Sequence, residues 1–351
     1  MTGRGRVLCA RLDSLGDVLL TGPAVRAVAA AADAVVLLAG PAGAAAARLL
    51  PGVDEVLTWR CPWIELGAPA VDPADVEELL RELRSRRIDE AVLFTSFHQS
   101  ALPLALLLRL AGVQRISATS EDYPGALLDV RHRVDEQLDV PEPERALSLA
   151  TAAGFALPAG DAGRLAVRRP LPDVRALVPT DPYVVLHPGA AVPTRTWPAA
   201  RCAEAAWMLV EAGWAVVVTG EPAERELTAA VAAAAPGGTC DLAGATSLAE
   251  TAAVLAGARA VVVGNTGPAH LAAAVGTPVV SLFSPVVPAE RWAPYGVAHV
   301  LLGDQDAPCR RTRARECPVP GHPCLTSVTA EDAVLAVEKL AGGAPRLAAM
   351  S

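Results

Sequence analysis

The chain has 351 residues, enough for two domains, and its formal net charge of −8 comes without any basic run that could grip nucleic acid. Aromatic residues are only 4% of it, so the interior must be built from Ala, Val and Leu. No apolar window can span a bilayer, because Ala101 to Val113 and Ala252 to Val263 are short and broken by Arg109 and Arg259. That excludes a transmembrane segment and leaves peripheral membrane contact open. A strand is expected almost at once, from Val7, which leaves no room for a signal peptide and points to the cytoplasm. The seven cysteines are then expected as reduced thiols, not as a disulfide framework.

Apolar runs of strand length alternate with longer helical patterns. In the first half, strands are predicted at Val7–Ala10, Ala34–Ala39, Glu55–Thr58, Ala91–Thr95 and Arg115–Ser117. Helices fit between them over Asp17–Ala31, Ala42–Leu50, Pro73–Arg86 and Ser100–Ala111, with Pro73 opening one and Gly112 closing another. A Pro-rich polar stretch from Arg168 to Pro182 reads as a linker. The alternation then restarts with strand Tyr183–His187, helix Pro198–Ala212, strand Ala215–Thr219, helix Pro222–Ala235, a short strand near Cys240–Leu242 and helix Ser247–Ala256. A last helix, Ala330–Leu340, closes the chain.

The pattern predicts an α/β protein of two Rossmann-like, doubly wound domains with an interdomain cleft. The expected divisions are residues 1–170, residues 183–328 and a C-terminal helix at 329–341. Ligands in such sheets sit outside the carboxyl ends of the strands.

The segment from Arg259 to Pro285 is the most informative. Ala260 to Val263 reads as a buried strand that breaks at Gly264 and Asn265. Thr266-Gly267-Pro268 opens an Ala-rich helix ending near Gly276, and a second buried strand follows at Pro278 to Phe283. A helix N-terminus carries partial positive charge and free N–H groups, so this turn suits a phosphate. Asn265, Thr266 and His270 lie where they could reach the same anion. The competing reading is an ordinary βαβ turn with a structural histidine.

Further motifs stand at other strand ends. Arg11-Leu12-Asp13-Ser14-Leu15-Gly16-Asp17 follows the first strand, and His187-Pro188-Gly189-Ala190 leads on to Arg195-Thr196-Trp197-Pro198. Thr219-Gly220-Glu221-Pro222-Ala223-Glu224 and Asp241 to Leu248 come next, before Asn265 to His270. In this order and spacing the segments closely resemble glycosyltransferase family 9, the ADP-heptose heptosyltransferases, from about residue 6 to 340.

The resemblance implies the two-domain GT-B architecture, with the acceptor on the N-terminal domain and the nucleotide-sugar on the C-terminal one. It implies inversion by direct displacement, with no metal and no cofactor beyond the ADP-sugar donor substrate. Asp17, in the Gly-Asp step, matches the family's general base. Asp13 is the rival base, and a carboxylate in a first helical turn can also simply complement the helix. Arg195 falls where the family carries a cation that meets the diphosphate charge as the bond breaks. The alternative for Arg195 is a solvent-facing loop residue.

Thr266, Gly267 and Pro268 would present the helix terminus to the phosphates, with His270 as a further donor or a structural residue. Glu221 matches the acid that holds the ribose hydroxyls, and backbone near Thr246 would border the base. Gly189 would offer backbone N–H groups, although Gly189-Ala190 replaces the hydroxyl residues common in the family. Asn265 stands where many members have Asp, so a charged contact to the sugar is not expected there. In the N-terminal domain Asp13, Ser96 and His98, with Phe97 and Gln99, are candidate acceptor contacts. The partners implied are a nucleotide-sugar and a glycan, lipid or small-molecule acceptor.

Two metal-like patterns are set aside. Asp304-Gln305-Asp306 has the form of a cation-binding pair but falls late, after strand His299 to Leu302. Cys309, Cys317, His322 and Cys324 could supply four zinc ligands, yet they lack a Cys-x2-Cys pair and are threaded with prolines. They are expected to form a structural loop beside the nucleotide site, and the basic run Arg310 to Arg315 in it a solvated one. The rival functions are transfer from another nucleotide-sugar, epimerisation of a sugar nucleotide, and silent binding.

Overall fold

In the computed structural model the described residues are 3–343, apart from Leu66, Pro69 and Glu136. The chain divides between Arg168 and Arg169 into two compact units, at the start of the Pro-rich stretch.

The first unit carries β1 (Arg6–Arg11), β2 (Ala34–Ala39), β3 (Glu55–Thr58), β4 (Glu90–Leu93), β5 (Arg115–Thr119) and β6 (Val130–His132). All pair in parallel, in the order β3-β2-β1-β4-β5-β6. Parallel strands buried on both faces read as continuous apolar runs, and Val7, Leu8 and Cys9 of β1 are wholly buried. Helices pack Leu79, Leu83, Leu104 and Leu108 against one face of this sheet. The strand order turns back between β1 and β4. That is the topological switch point, where the helices following neighbouring strands leave in opposite directions and open a crevice.

The second unit repeats the plan with β7 (Tyr183–His187), β8 (Ala215–Val218), β9 (Thr239–Asp241), β10 (Val261–Gly264), β11 (Val279–Leu282) and β12 (His299–Leu302). Its parallel order, β12-β11-β10-β7-β8-β9, places the switch point between β7 and β10. The closing helix Ala330–Ala341 buries Val334 and Val337 in the core around Trp197, whose indole N–H donates to the Val328 carbonyl at 3.2 Å. Both sheets are thus doubly wound, as expected.

Some local features depart from the pattern, among them the short helices Ala289–Trp292 and Pro323–Thr326. The predicted helix Asp17–Ala31 is two helices, Leu15–Leu20 and Gly22–Ala29, broken at Thr21. Pro23 has no N–H to offer the Leu19 carbonyl, which interrupts the ladder, while the Thr21 N–H and hydroxyl both donate to the Asp17 carbonyl, at 3.2 and 2.9 Å. Strand β6 and the helix Glu142–Ala152 were not anticipated. A half-buried Val-Arg-His edge strand has no apolar run to betray it, and the helix opens on the polar Glu-Pro-Glu-Arg.

Candidate functional site

In the first unit, β1 delivers Arg11 to the switch point with its side chain only 3% exposed. The chain turns, and Ser14 opens the helix Leu15–Leu20 with Asp17 in its first turn. The Ser14 hydroxyl donates to Asp17 Oδ2 at 2.7 Å instead of capping the helix backbone. Arg11 Nη2 donates to Asp17 Oδ1 and to Ser96 Oγ, both at 2.9 Å. Arg11 Nε lies 2.8 Å from Asp13 Oδ2, close enough for an ion pair but not aligned as a hydrogen bond. Gln99 donates to Asp13 Oδ1, and Ser96 Oγ reaches Asp13 Oδ2 at 3.4 Å.

The helix Glu142–Ala152 adds Glu142, 4.0 Å from both Arg11 and Arg145. Arg145 in turn donates to the Thr95 carbonyl at 2.7 Å. Burial would lower the Arg11 pKa, but the carboxylates of Asp13, Asp17 and Glu142 outweigh it and hold the guanidinium charged above its ordinary value. Burial pushes the Asp13 carboxyl up; Arg11 pulls it back down, Asp17 pushes it up again, and the result is upward.

Asp13, Asp17 and Ser96 therefore meet on one guanidinium. His98 stands apart, exposed, with its ring 5.3 Å edge-on from Phe97. It lines a cavity of about 210 Å³ with Thr119, Ser120, Glu121, Asp122 and Arg145. Gln99 belongs to both places, since it holds Asp13 and also lines that cavity.

In the second unit the exit of β10 is built around Asn265. Its buried carboxamide donates to the Ser284 carbonyl and accepts from the Ser284 N–H, both at 3.4 Å, tying this turn to the exit of β11. The side chain is thereby engaged with backbone, and its carboxamide supplies both the donor and the acceptor, which a carboxylate could not. The Asn265 carbonyl accepts from Arg195 Nη1 at 3.2 Å. Arg195 sits on the short turn Pro193–Arg195, and its own carbonyl presses on Gly264. A Cβ at 264 would lie 2.7 Å from that oxygen, so glycine is what lets the two backbones approach.

Thr266 caps the helix Gly267–Val275 in extended conformation, without a side-chain bond, and its N–H donates back to the Gly264 carbonyl at 2.8 Å. Pro268 carries no N–H, and the Ala269 N–H is engaged with the Thr266 carbonyl at 3.0 Å. His270 is buried one turn further in.

The Cys-rich loop explains why the Arg195 turn is held. The Thr194 N–H donates to the Arg315 carbonyl at 3.1 Å and its hydroxyl to the Ala314 carbonyl at 2.8 Å. His322 Nε2 meets the Thr194 carbonyl at 3.0 Å. Burial first, and then the neighbouring Cys309, push the Cys324 thiol up to about 11. Among the described residues no three His, Cys, Asp or Glu side chains are grouped to hold an ion. Asp304 has a local task, accepting from the Asp306 N–H at 2.9 Å.

At the exit of β7, His187 Nδ1 meets Thr219 Oγ1 at 3.0 Å, and burial pushes its pKa down to about 4. It is neutral near pH 7, so the approach of Glu224 Oε2 to 3.9 Å is not an ion pair there. A Cβ on Gly189 would meet the Glu224 carboxylate at 1.8 Å, so a side chain at 189 would displace it. Glu221 is exposed, and its N–H donates to Glu224 Oε2 at 2.7 Å. The Thr246 hydroxyl shares a 2.9 Å hydrogen bond with the Thr251 hydroxyl, just ahead of the helix Leu248–Gly257. Sequence reasoning singled out none of Arg11, Glu142, Thr194 and Glu224 as site residues. Of these only Arg11 and Glu224 carried a signal, each lying inside a quoted motif.

Residues 76–322 match the sequence profile of glycosyltransferase family 9 (heptosyltransferase), well over half of the chain. The chain belongs to glycosyltransferase family 9. Its relatives include lipopolysaccharide heptosyltransferase 1 of Pseudomonas aeruginosa, 41% identical over 140 residues. That match spans 40% of this family 9 chain and only 38% of the relative. Lipopolysaccharide heptosyltransferase 2 of Escherichia coli is 29% identical over 261 residues, 68% of this chain and 70% of that one. The solved structure of the E. coli ADP-heptose lipopolysaccharide heptosyltransferase II superimposes with a TM-score of 0.73 at 20% identity. It covers 99% of this chain and all of its own, which establishes a shared fold.

Proposed function

We propose that this chain is a cytoplasmic heptosyltransferase that moves the sugar of ADP-heptose onto a hydroxyl group of a glycan, lipid or small-molecule acceptor, with inversion and without a metal ion. The acceptor oxygen attacks the anomeric carbon opposite the diphosphate. The bond from that carbon to the phosphate oxygen breaks, its electron pair leaves with ADP, and the hydroxyl proton passes to Asp17. The observation that carries this reading is Asp17 itself: a carboxylate at the switch point, held by Arg11 through one oxygen and by a rotatable Ser14 hydroxyl through the other.

Charge on the departing diphosphate is met in this reading by Arg195 and the helix terminus at Gly267. Glu221, Gly189 and the backbone near Thr246 form the seat proposed for ribose and base, and Ser96 and His98 the acceptor contacts. The names of the relatives support a heptose donor and a lipopolysaccharide-type acceptor. The residues 1–170 are assigned to the acceptor and 183–328 to the nucleotide-sugar. Among the described residues no helix is long and apolar enough to cross a membrane.

The donor is tested by thermal unfolding with nucleoside diphosphates. A ligand that binds the native state alone raises stability by RT ln(1 + [L]/Kd). ADP should raise Tm more than UDP or GDP at equal concentration. A larger shift with UDP or GDP would overturn the ADP donor while leaving Asp17 as the base.

A further inference from the structure

We propose that Arg11 is a positioning residue that keeps Asp17 ionised and aimed, by sharing one buried guanidinium between Asp17 and Asp13. This rests on the reading of Asp17 as the base. The guanidinium touches both carboxylates at once, Asp13 through Nε at 2.8 Å and Asp17 through Nη2 at 2.9 Å. Its planar fork can do this, whereas a lysine ammonium presents one point charge. Ser96 Oγ accepts from the same Nη2 at 2.9 Å, a further tie on the orientation of the group.

The charge count of the cluster suits proton uptake. Asp13, Asp17 and Glu142 supply three carboxylates, against the two guanidiniums of Arg11 and Arg145. Among these five side chains one negative charge is in surplus, and taking the acceptor's proton relieves it. Arg11 then still faces Asp13 and Glu142, so the step leaves no buried cation uncompensated. Of the two aspartates, Asp17 has the more open side chain, 20% against 10% exposed. Other titratable groups face the cluster: the Cys61 thiol near Asp13, which burial pushes up to about 12, and, on the Arg145 side, His132, which burial and then Arg145 push down, with Glu121 and Asp122 lining the same cavity as Arg145.

Without Arg11, burial and mutual repulsion would leave one proton on the Asp13–Asp17 pair at a higher pH. An opposite charge at this range holds a carboxyl down by roughly 1–3 pH units, and its loss reverses the effect. The test compares wild type with Arg11→Met and Arg11→Lys, using the pH profile of kcat/KM and the carboxyl-carbon NMR titration of labelled aspartate. In Arg11→Met the acid limb and a carboxyl midpoint should both rise by about one unit or more. Arg11→Lys should return the acid limb toward wild type while kcat stays at least about tenfold low, with the donor KM unchanged.

A fall in Arg11→Met activity with neither the limb nor any carboxyl midpoint moved would mean a structural role and overturn the proposal. Should Arg11→Met not fold, the Arg11→Lys split decides, and an unchanged kcat there overturns it. The NMR titration needs no turnover. A carboxyl shift in a chain that transfers no sugar would fail the reaction and not the Arg11 assignment.

Discussion

The Arg195 guanidinium donates to the carbonyl of Asn265 at 3.2 Å, which fixes a cation against the backbone that opens the helix Gly267–Val275. A cation and a helix terminus that meet at one turn reinforce each other toward an anion, because both fields have the same sign. Arg195→Ala should therefore weaken donor binding and lower turnover together, since diphosphate charge exists before the transition state and grows within it. Steady-state kcat and donor KM read this directly, and a change in neither would remove Arg195 from the donor site.

Gly264→Ala tests the same contact from the other side. The new Cβ would fall 2.7 Å from the Arg195 carbonyl, so the turn must move by several tenths of an ångström. Turnover should fall about tenfold or more, as misplacement of a group in a catalytic site is costly. Wild-type kcat in this variant would show that the placement of the Arg195 turn does not matter.

Thr194→Val removes a hydroxyl that donates to the Ala314 carbonyl at 2.8 Å in a buried setting. The loss should be about 1–2 kcal/mol in urea unfolding, the cost of an unmade buried hydrogen bond. Because Thr194 precedes Arg195, kcat should drop as well. Unfolding with unchanged midpoint and unchanged m would contradict this role.

Much of this was legible in sequence. The strand Val261–Gly264 shows itself because both faces are buried and every position is apolar or glycine. The Asn265 turn shows itself through the break of a strand into a Pro-opened helix, whereas Asp17 stands out only through the resemblance of its Gly-Asp step to family 9. Arg11 lay within the same motif, but its role depends on Ser96 and Glu142, which lie far along the chain and meet it only at the switch point. Glu142 opens an otherwise unremarked helix with no motif around it. The Cys-rich run invited a metal reading, whereas its His322 is spent on the Thr194 carbonyl. Spacing along a chain reports which ligands are available, not which way they face.

His187 gives a pH signature in stability. Its folded pKa lies near 4, below the ordinary value of 6.5, so between those pH values the unfolded chain binds more protons. Stability from this group is complete above pH 6.5 and is lost as pH falls toward 4. The loss should reach about 3 kcal/mol by the lower end. His187→Gln should flatten that part of the profile in urea unfolding measured from pH 7 to 4. A slope identical to wild type would assign the acid sensitivity to other groups.

The most direct measurement is product analysis of wild type and Asp17→Asn with ADP-heptose and a lipopolysaccharide acceptor, in the presence of EDTA. One ADP should be released per heptosyl group transferred, and NMR should show the anomeric configuration opposite to that of the donor. Asp17→Asn should cut turnover by roughly 10²–10⁴ with donor affinity nearly unchanged, because a general base acts in the chemical step. Retention of configuration, loss of transfer on chelation, or full activity in Asp17→Asn would contradict the account.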